Sequence, residues 1–180
     1  MGRIIDKSFF TAQAEDLAQQ LLGKILCHKT PNAEHTIRFR ITVTEAYPSD
    51  DEVSYSKKYT EGKAVDFLTD NIGLCCIFGG MILISCGEKN SNNRCHDNVL
   101  IRGGYNIANE EDENYHDKGK GQPSKFAEGL RLKSDLPVMN LLEENGSLWI
   151  EEDDTPEILA SAEPRINVSE EKRLRFSLQI

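Results

Sequence analysis

RFRITVTEAY, residues 38–47, alternates between apolar and polar side chains, a pattern typical of a half-buried strand. Phe39, Ile41 and Val43 share one face, and continuing the count places Glu45 and then Tyr47 on that same apolar face. A carboxylate on a buried strand face is costly unless it lines a pocket, which makes Glu45 a candidate functional residue. A second interpretation stays open, in which the strand ends at Val43 and Glu45 lies in a solvated turn.

An amphipathic helix is predicted before this strand. In AQAEDLAQQLL, residues 12–22, apolar side chains recur with helical spacing at positions 14, 17, 18, 21 and 22. Thr11 suits the N-cap of that helix, and Gly23 suits the position after its C-terminus. The next residues, KILCHK (24–29), predict a short strand.

Short strands dominate the rest of the chain. Apolar residues 72–78 and 81–85 flank Gly79-Gly80, which predicts a hairpin with a two-glycine turn. Further elements are expected as a loop leading into a short helix at 48–66, a strand at 98–102, a helix at 124–132, a hairpin at 140–153 around Asn145-Gly146, and a closing strand at 174–180. No βαβ rhythm, repeat or linker interrupts this order. The sequence therefore predicts an α+β fold, a single domain over residues 1–180 with an antiparallel, barrel-like sheet and flanking helices.

The net charge of −9 at first argues against nucleic acid as a partner. However, residues 110–117 hold five acids, residues 143–163 hold eight, and neither stretch contains Lys or Arg. The remaining chain has 17 acids and 21 bases, so a basic face is compatible with the composition. The charge alone excludes neither a DNA-binding protein nor an acidic interaction domain.

Five cysteines without a secretion signal predict reduced thiols and a cytoplasmic protein, or a nucleoid-associated one in a bacterium. No stretch is apolar for the roughly 20 residues that span a bilayer, so no membrane partner is expected. Cys95-His96 raises the possibility of a zinc site with the upstream cysteines. The paired CxxC spacing is absent, and Cys75 and Cys76 would point to opposite faces of a strand. Buried core thiols are the favoured interpretation, with no metal.

The segments TEAY (44–47) and DDEVSY (50–55) resemble the catalytic region of the alkyladenine, or methylpurine, DNA glycosylase family. Other segments resemble the family's remaining elements and come in the family's order: LAQQLLGKIL (17–26), YTEGKAVDF (59–67), NVLIRG (98–103), QPSKF (122–126), NGSLWIEED (145–153), EPRINV (163–168) and RLRF (173–176). The resemblance covers nearly the whole chain. It implies a fold like that of the family, which is similar to the C-terminal domain of formyltransferases.

The resemblance also implies roles for individual residues. Glu45 would be the carboxylate that activates water for hydrolysis of the N-glycosidic bond, and Arg102 would help to hold that water. Tyr47 would stack on the flipped base, and Tyr55 falls where the family usually has a histidine that covers the base's other side. For Arg102, the alternative is a structural ion pair with one of the many acids.

Several positions depart from the family's pattern. Gly79 falls where a tyrosine wedge normally enters the duplex, although a slip of one residue would put Phe78 there. Cys76 falls at a second base-stacking tyrosine, and Cys86 at the asparagine that screens out normal guanine. Gly62-Lys63 replaces the family's Arg-Asn, and Lys63 is expected to contact DNA.

Lys125 is the second lysine expected to contact DNA, and the basic segments around Lys57 and Lys58 and around Lys118 and Lys120 are expected to contribute. The resulting hypothesis is a monomeric, monofunctional DNA glycosylase that needs only water and no cofactor. Its substrate would be double-stranded DNA with alkylated or deaminated purines, with single-stranded DNA as a further candidate. The alternatives are a divergent relative that binds damaged DNA or a base without excision, and an acidic interaction domain.

Overall fold

The structure is a computed structural model that describes residues 2–31, 34–59, 61–89, 94–108, 120–153, 159–169 and 171–178. The acidic stretch 110–117, Lys118 and the end of the predicted closing strand lie outside the described residues. None of the helices in the described ranges is long and apolar enough to cross a membrane.

The described elements alternate short strands with short helices. Before the central hairpin come a 3-10 helix (Lys7–Thr11), α1 (Ala14–Gln20), β1 (Ile25–His28), β2 (Ile37–Tyr47), α2 (Tyr55–Lys58) and α3 (Lys63–Asp70). The hairpin and the elements after it are β3 (Leu74–Phe78), β4 (Met81–Cys86), β5 (Asp97–Asn106), α4 (Pro123–Gly129), β6 (Met139–Asn140), β7 (Leu148–Glu151), β8 (Ala160–Glu163) and β9 (Arg175–Leu178).

The strands form one antiparallel, barrel-like sheet, which confirms the predicted α+β class. Its order is β6-β3-β4-β5-β2-β1-β7, with β9 beside β2 and β8 beside β9. In a flat sheet the outer strands β6 and β7 would lie roughly 29 Å apart. They are joined only by residues 141–147, which are folded into turns and cannot reach that far. The sheet must therefore curl until its two edges approach each other.

The same connection corrects one prediction. Residues 140–153 do not form a hairpin around Asn145-Gly146, because β6 pairs with β3 while β7 pairs with β1. The local turn is present, since the Gly146 N–H donates to the carbonyl of Glu143 at 3.0 Å. The flanking strands nevertheless find partners at opposite edges of the sheet, which a turn signal in the sequence cannot show.

Helix α1 has the predicted buried face but a different start. Ala14, Leu17 and Ala18 are buried. Gly23 has a left-handed φ of 80°, but the helix ends at Gln20 with Leu21 as its C-cap, so Gly23 lies one residue beyond the C′ position predicted for it. The predicted N-cap at Thr11 is wrong, because Lys7–Thr11 forms a 3-10 helix of its own. The N–H of Ala14 donates instead to Asp97 Oδ2 at 3.1 Å, so a carboxylate from the start of β5 caps the helix.

A bulge in β2 decides which side of the sheet Glu45 faces. The partners Ile41↔Gly104 and Val43↔Gly103 leave one extra residue in β2, and the alternation reverses there. Ile41 and Ala46, five residues apart, consequently both pack in the main core. The predicted shared face of Ile41 and Glu45 is therefore wrong, as is the alternative that β2 ends at Val43.

The two larger clusters of buried residues lie on opposite faces of the sheet. The main core packs one face against α1 and α4, with Leu17, Leu21 and Phe126 fully buried. A second cluster lies on the other face beneath α2 and α3, and consists of Tyr47, Tyr55, Ala64, Phe67, Leu68, Cys76, Leu83 and Leu100. The bulge directs Glu45 towards this second cluster and away from the main core.

Candidate functional site

Two neighbouring irregularities in the β2–β5 ladder bring Glu45 and Arg102 together. After Val43↔Gly103 the next partners are Thr44↔Ile101, so Arg102 has no partner opposite it in β2. Arg102 lies two residues beyond Leu100, which belongs to the second cluster, and thus faces the same side as Glu45. Its Nη1 donates to Glu45 Oε2 at 3.2 Å.

The backbone at residues 120–121 holds the Arg102 side chain in place. Arg102 Nε donates to the carbonyl oxygen of Lys120 at 2.8 Å. Gly121 passes so close that a β-carbon there would lie 2.7 Å from the carbonyl carbon of Arg102, and its φ is +68°. Both observations exclude a residue with a side chain at position 121. Gly121 therefore lets the backbone pass close to Arg102, which places the Lys120 carbonyl beside the guanidinium.

Glu45 is fully buried, and hydrogen-bond donors approach both of its carboxylate oxygens. Oε2 accepts from the hydroxyl of Tyr47 at 3.0 Å as well as from Arg102, and Oε1 accepts from the N–H of Ile166 at 2.8 Å. A carboxylate offers about four acceptor positions, so the donors in the described residues leave one position free. The arrangement fixes the orientation of the carboxylate and still lets it accept a hydrogen bond from one further molecule.

Tyr47 lies between charged groups of opposite sign. Burial and the neighbouring Glu45 carboxylate hold the pKa of Tyr47 well above its ordinary value, so its hydroxyl remains a donor to Glu45. The guanidinium of Arg165 lies 4.7 Å from the centre of the Tyr47 ring, a cation–π distance. One face of the ring is therefore covered by protein, and its hydroxyl is fixed.

Arg165 belongs to a buried ion pair. Its Nη2 donates to Asp51 Oδ2 at 2.7 Å and its Nη1 to the carbonyl of Ala46 at 2.9 Å. Burial acts to raise the pKa of Asp51, but the N–H of Val53 and the Arg165 guanidinium outweigh it, and the pKa is lowered. This pair joins the loop after β2 to the segment that carries Ile166.

Four aromatic rings run from Glu45 towards the surface. The centres of the Tyr47 and Tyr55 rings are 5.6 Å apart at an angle of 64°, and the Tyr55 ring stacks on Tyr59 at 6.2 Å and 14°. Phe78 meets Tyr55 edge-on at 6.2 Å and Tyr59 at 5.4 Å. Burial raises the pKa of Tyr55 to about 12, so this ring also stays neutral.

The β3–β4 hairpin ends beside these rings and has the predicted two-glycine turn. Gly79 and Gly80 have φ values of +57° and +76°, as a type I′ turn requires. Phe78 pairs with Met81 across the hairpin, and its half-buried side chain belongs to the aromatic group. The turn itself presents no side chain to a ligand.

The two cysteines predicted at the base pocket lie on opposite sides of the sheet. Cys76 packs in the second cluster near Tyr47 and Tyr55, and its thiol donates to the Lys63 carbonyl at 3.7 Å. Burial raises the pKa of the Cys76 thiol to about 11. Cys86 packs in the main core, so the structure does not bring it to Glu45. Cys75 and Cys76 face opposite sides, as predicted, and no group of three metal-ligating side chains occurs in the described ranges.

The lysines predicted to contact DNA differ in their surroundings. Lys63 Nζ donates to the carbonyl of Ser134 at 2.9 Å and to that of Leu136, so this ammonium binds protein backbone in the structure. Lys125 is exposed on α4. The preceding Ser124 lies against the hairpin turn, because a β-carbon built on Gly80 would be 3.4 Å from that of Ser124.

Several site residues escaped the sequence analysis. Ile166 and Arg165 lie in EPRINV, yet nothing in their spacing indicates that a distant turn supplies an N–H to Glu45 and a cation to Tyr47. Asp51 lies in an acidic run that resembles a solvated loop. The one signal that could have suggested a buried ion pair is the acidic run after TEAY together with Pro164-Arg165 late in the chain.

A family model described as methylpurine-DNA glycosylase (MPG) matches residues 8–179, which is almost the whole chain. No curated protein matches the chain.

Proposed function

Because the chain belongs to the methylpurine-DNA glycosylase family, whose members are hydrolases of base-excision repair, we propose that it flips damaged purines out of DNA and removes them with water. The substrates would be alkylated or deaminated purines such as 3-methyladenine or hypoxanthine. The reaction is monofunctional, in that water and no protein amine attacks the sugar, and it requires no metal.

The observation that carries this proposal is the environment of Glu45. Three donors hold the carboxylate in one orientation, and one of its acceptor positions remains available for a water molecule. As the glycosidic bond breaks, positive charge develops on the sugar. A carboxylate fixed beside it stabilises that charge and accepts a proton from the attacking water.

Arg102 has a positioning role in this mechanism. Its guanidinium pairs with Glu45 Oε2, and its side chain is 11% exposed, so it reaches the rim of the site while Glu45 lies beneath. The pairing occupies Oε2 and leaves Oε1 as the oxygen that, among the described residues, accepts from one donor, the N–H of Ile166.

Binding of the base requires Tyr55 to move. A base stacked between two parallel rings needs them roughly 7 Å apart, which is two van der Waals contacts. The rings of Tyr47 and Tyr55 are 5.6 Å apart and inclined by 64°, so Tyr55 occupies the space that the base would take. Tyr55 begins the four-residue helix α2, whose displacement would open the space against Tyr47.

The hairpin would act at the duplex through Phe78, because Gly79 has no side chain to fill the gap left by the base. An apolar ring inserted into a base step unstacks it at a cost of a few kcal/mol, which contacts with the extruded nucleotide offset. Exposed lysines on α2 and α4, Lys57, Lys58 and Lys125, would contact phosphates. Binding is thus expected to weaken with salt.

The test is release of damaged bases from defined oligonucleotides. Duplexes and single strands containing 3-methyladenine, hypoxanthine or ethenoadenine are incubated with the protein, and abasic sites are cleaved with alkali. We expect release of at least one of these bases and none from undamaged DNA. Glu128→Gln, at an exposed position on α4, is the matched control for carboxylate substitution and should behave as wild type. No release of any base, with DNA binding retained, would contradict the proposal.

A second candidate function is binding without excision. It is favoured by the absence of a side chain at Gly79 and by the occupation of the base space by Tyr55. It predicts salt-dependent binding to damaged DNA with no abasic product, and the same assay separates the two functions. Loss of both binding and release would leave the acidic interaction domain as the remaining alternative.

A further inference from the structure

Tyr59 is a large aromatic side chain left exposed at the outer end of the ring series. It is 40% exposed, whereas Tyr47 and Tyr55 are 6% and 9% exposed. Tyr59 follows α2, and its N–H donates to the carbonyl of Tyr55 at 3.0 Å, so the backbone is fixed. The ring has a definite orientation, since it stacks on Tyr55 and meets Phe78 edge-on at 5.4 Å and 73°.

The hairpin turn next to this ring offers no side chain of its own. Gly79 and Gly80 both have positive φ, and a β-carbon at Gly79 would meet only the methyl group of Met81, at 3.7 Å. The tip therefore has space for a ligand. Among the described residues, the aromatic rings beside the tip are Phe78 from the hairpin and Tyr59 from the α2 side.

We propose that Tyr59 is a DNA-contacting residue whose ring, supported by Phe78, stacks on a base beside the extruded nucleotide. The glycine turn cannot supply that contact, and a tyrosine ring can do so for any base. This inference deepens the proposed function, because it assumes that the ring series from Tyr47 to Tyr59 is the path of a flipped purine.

The charge around Tyr59 fits a nucleic-acid contact. Lys57 and Lys58 are exposed in the last turn of α2, within two residues of the ring. Aromatic rings flanked by lysines are the usual means of binding unpaired bases, with the cations on phosphates and the ring on a base. Glu61 is exposed nearby, so the basic character belongs to the α2 side of Tyr59.

The experiment compares Tyr59→Ala and Tyr59→Phe with wild type on hypoxanthine in duplex DNA and in the same single strand. Stacking of one base on one ring changes affinity about 5- to 150-fold. We expect Tyr59→Ala to lower kcat/KM on the duplex by at least tenfold and on the single strand by a smaller factor, because the ring stacks on a base in both substrates but only the duplex has a paired stack to hold open. Tyr59→Phe should retain wild-type values. Tyr105→Ala, a half-buried tyrosine on β5 beside Arg40, is the control and should change neither substrate.

A second readout does not depend on excision. A duplex carrying 2-aminopurine next to hypoxanthine reports the stacking of that neighbouring base by its fluorescence. We expect the 2-aminopurine emission to stay quenched when the wild type or Tyr59→Phe binds, and to become bright with Tyr59→Ala at saturating protein, because extrusion of hypoxanthine then leaves the neighbouring base unstacked. Equal quenching by Tyr59→Ala and wild type would overturn the inference even if the protein releases hypoxanthine. Quenching that depends on Tyr59 without any base release would support the contact and contradict the proposed hydrolysis.

Discussion

Removing the charge of Asp51 should cost much of the protein's stability. Asp51 and Arg165 are 2% and 0% exposed in their side chains and 2.7 Å apart, so Asp51→Asn removes a carboxylate charge that faces a buried guanidinium. Breaking a buried pair by removing one partner costs about 3–5 kcal/mol. The free energy of unfolding of a typical domain is roughly 5–15 kcal/mol, so this loss is a large fraction of it.

Urea unfolding at neutral pH measures this loss, provided that the m-value is unchanged. Glu152→Gln is the internal control, because Glu152 is 64% exposed where it pairs with Lys24 at 2.9 Å, and an exposed pair is worth about 0–1 kcal/mol. The double variant Asp51→Asn with Arg165→Met should recover part of the loss, since it also removes the buried guanidinium that faced Asp51. A loss in Asp51→Asn no larger than that in Glu152→Gln would refute the argument.

The Asp51–Arg165 pair also makes the free energy of unfolding depend on pH. The folded state lowers the pKa of Asp51, so its contribution is complete above the ordinary aspartate pKa of about 4 and is lost as the pH falls through the lower folded value. The difference in unfolding free energy between wild type and Asp51→Asn should therefore shrink below about pH 4. A constant difference down to pH 2 would show that Asp51 carries no lowered pKa.

Three further outcomes are expected. Gly79→Ala should destabilise the fold by about 1–2 kcal/mol in urea unfolding, because φ is +57° there and not because space is lacking; an unchanged midpoint would contradict this. Replacing Lys120 and Lys125 by Gln should weaken binding to every DNA sequence and flatten the salt dependence by about 0.9 for each phosphate that the protein no longer neutralises, whereas an unchanged slope would place both lysines away from DNA. In an absorbance titration, the difference between wild type and Tyr55→Phe should show a tyrosine that ionises near pH 12 and not near 10.

The sequence contained enough information for the class of fold and for most of its short elements. The face of α1, the two-glycine hairpin and the split between Cys75 and Cys76 all follow from local periodicity, because each depends on residues close in the chain. The extra residue between Ile41 and Val43 was not predictable, since RFRITVTEAY alternates without interruption. A bulge is set by how β2 meets Gly103 and Gly104 in β5.

Site residues could be predicted only at positions where the residue type was unusual for its place in a strand. Glu45 and Tyr47 stood out in a strand, and Arg102 stood out at the end of a buried run. The partners that complete the site come from distant segments: Ile166 and Arg165 are more than 110 residues from β2. Their side-chain types are ordinary for a surface turn, so only the folded chain shows that they face Glu45 and Tyr47.

The central claim is that Glu45 is the group that activates water, and single-turnover base release by Glu45→Gln tests it most directly. The change is nearly isosteric and removes the charge and the ability to take a proton, so release of the damaged base should fall by about 10²- to 10⁴-fold. Binding to the same duplex should stay near wild type, and urea unfolding should show that the variant is folded. Release at the wild-type rate by a folded Glu45→Gln protein would show that this carboxylate is not the catalytic group.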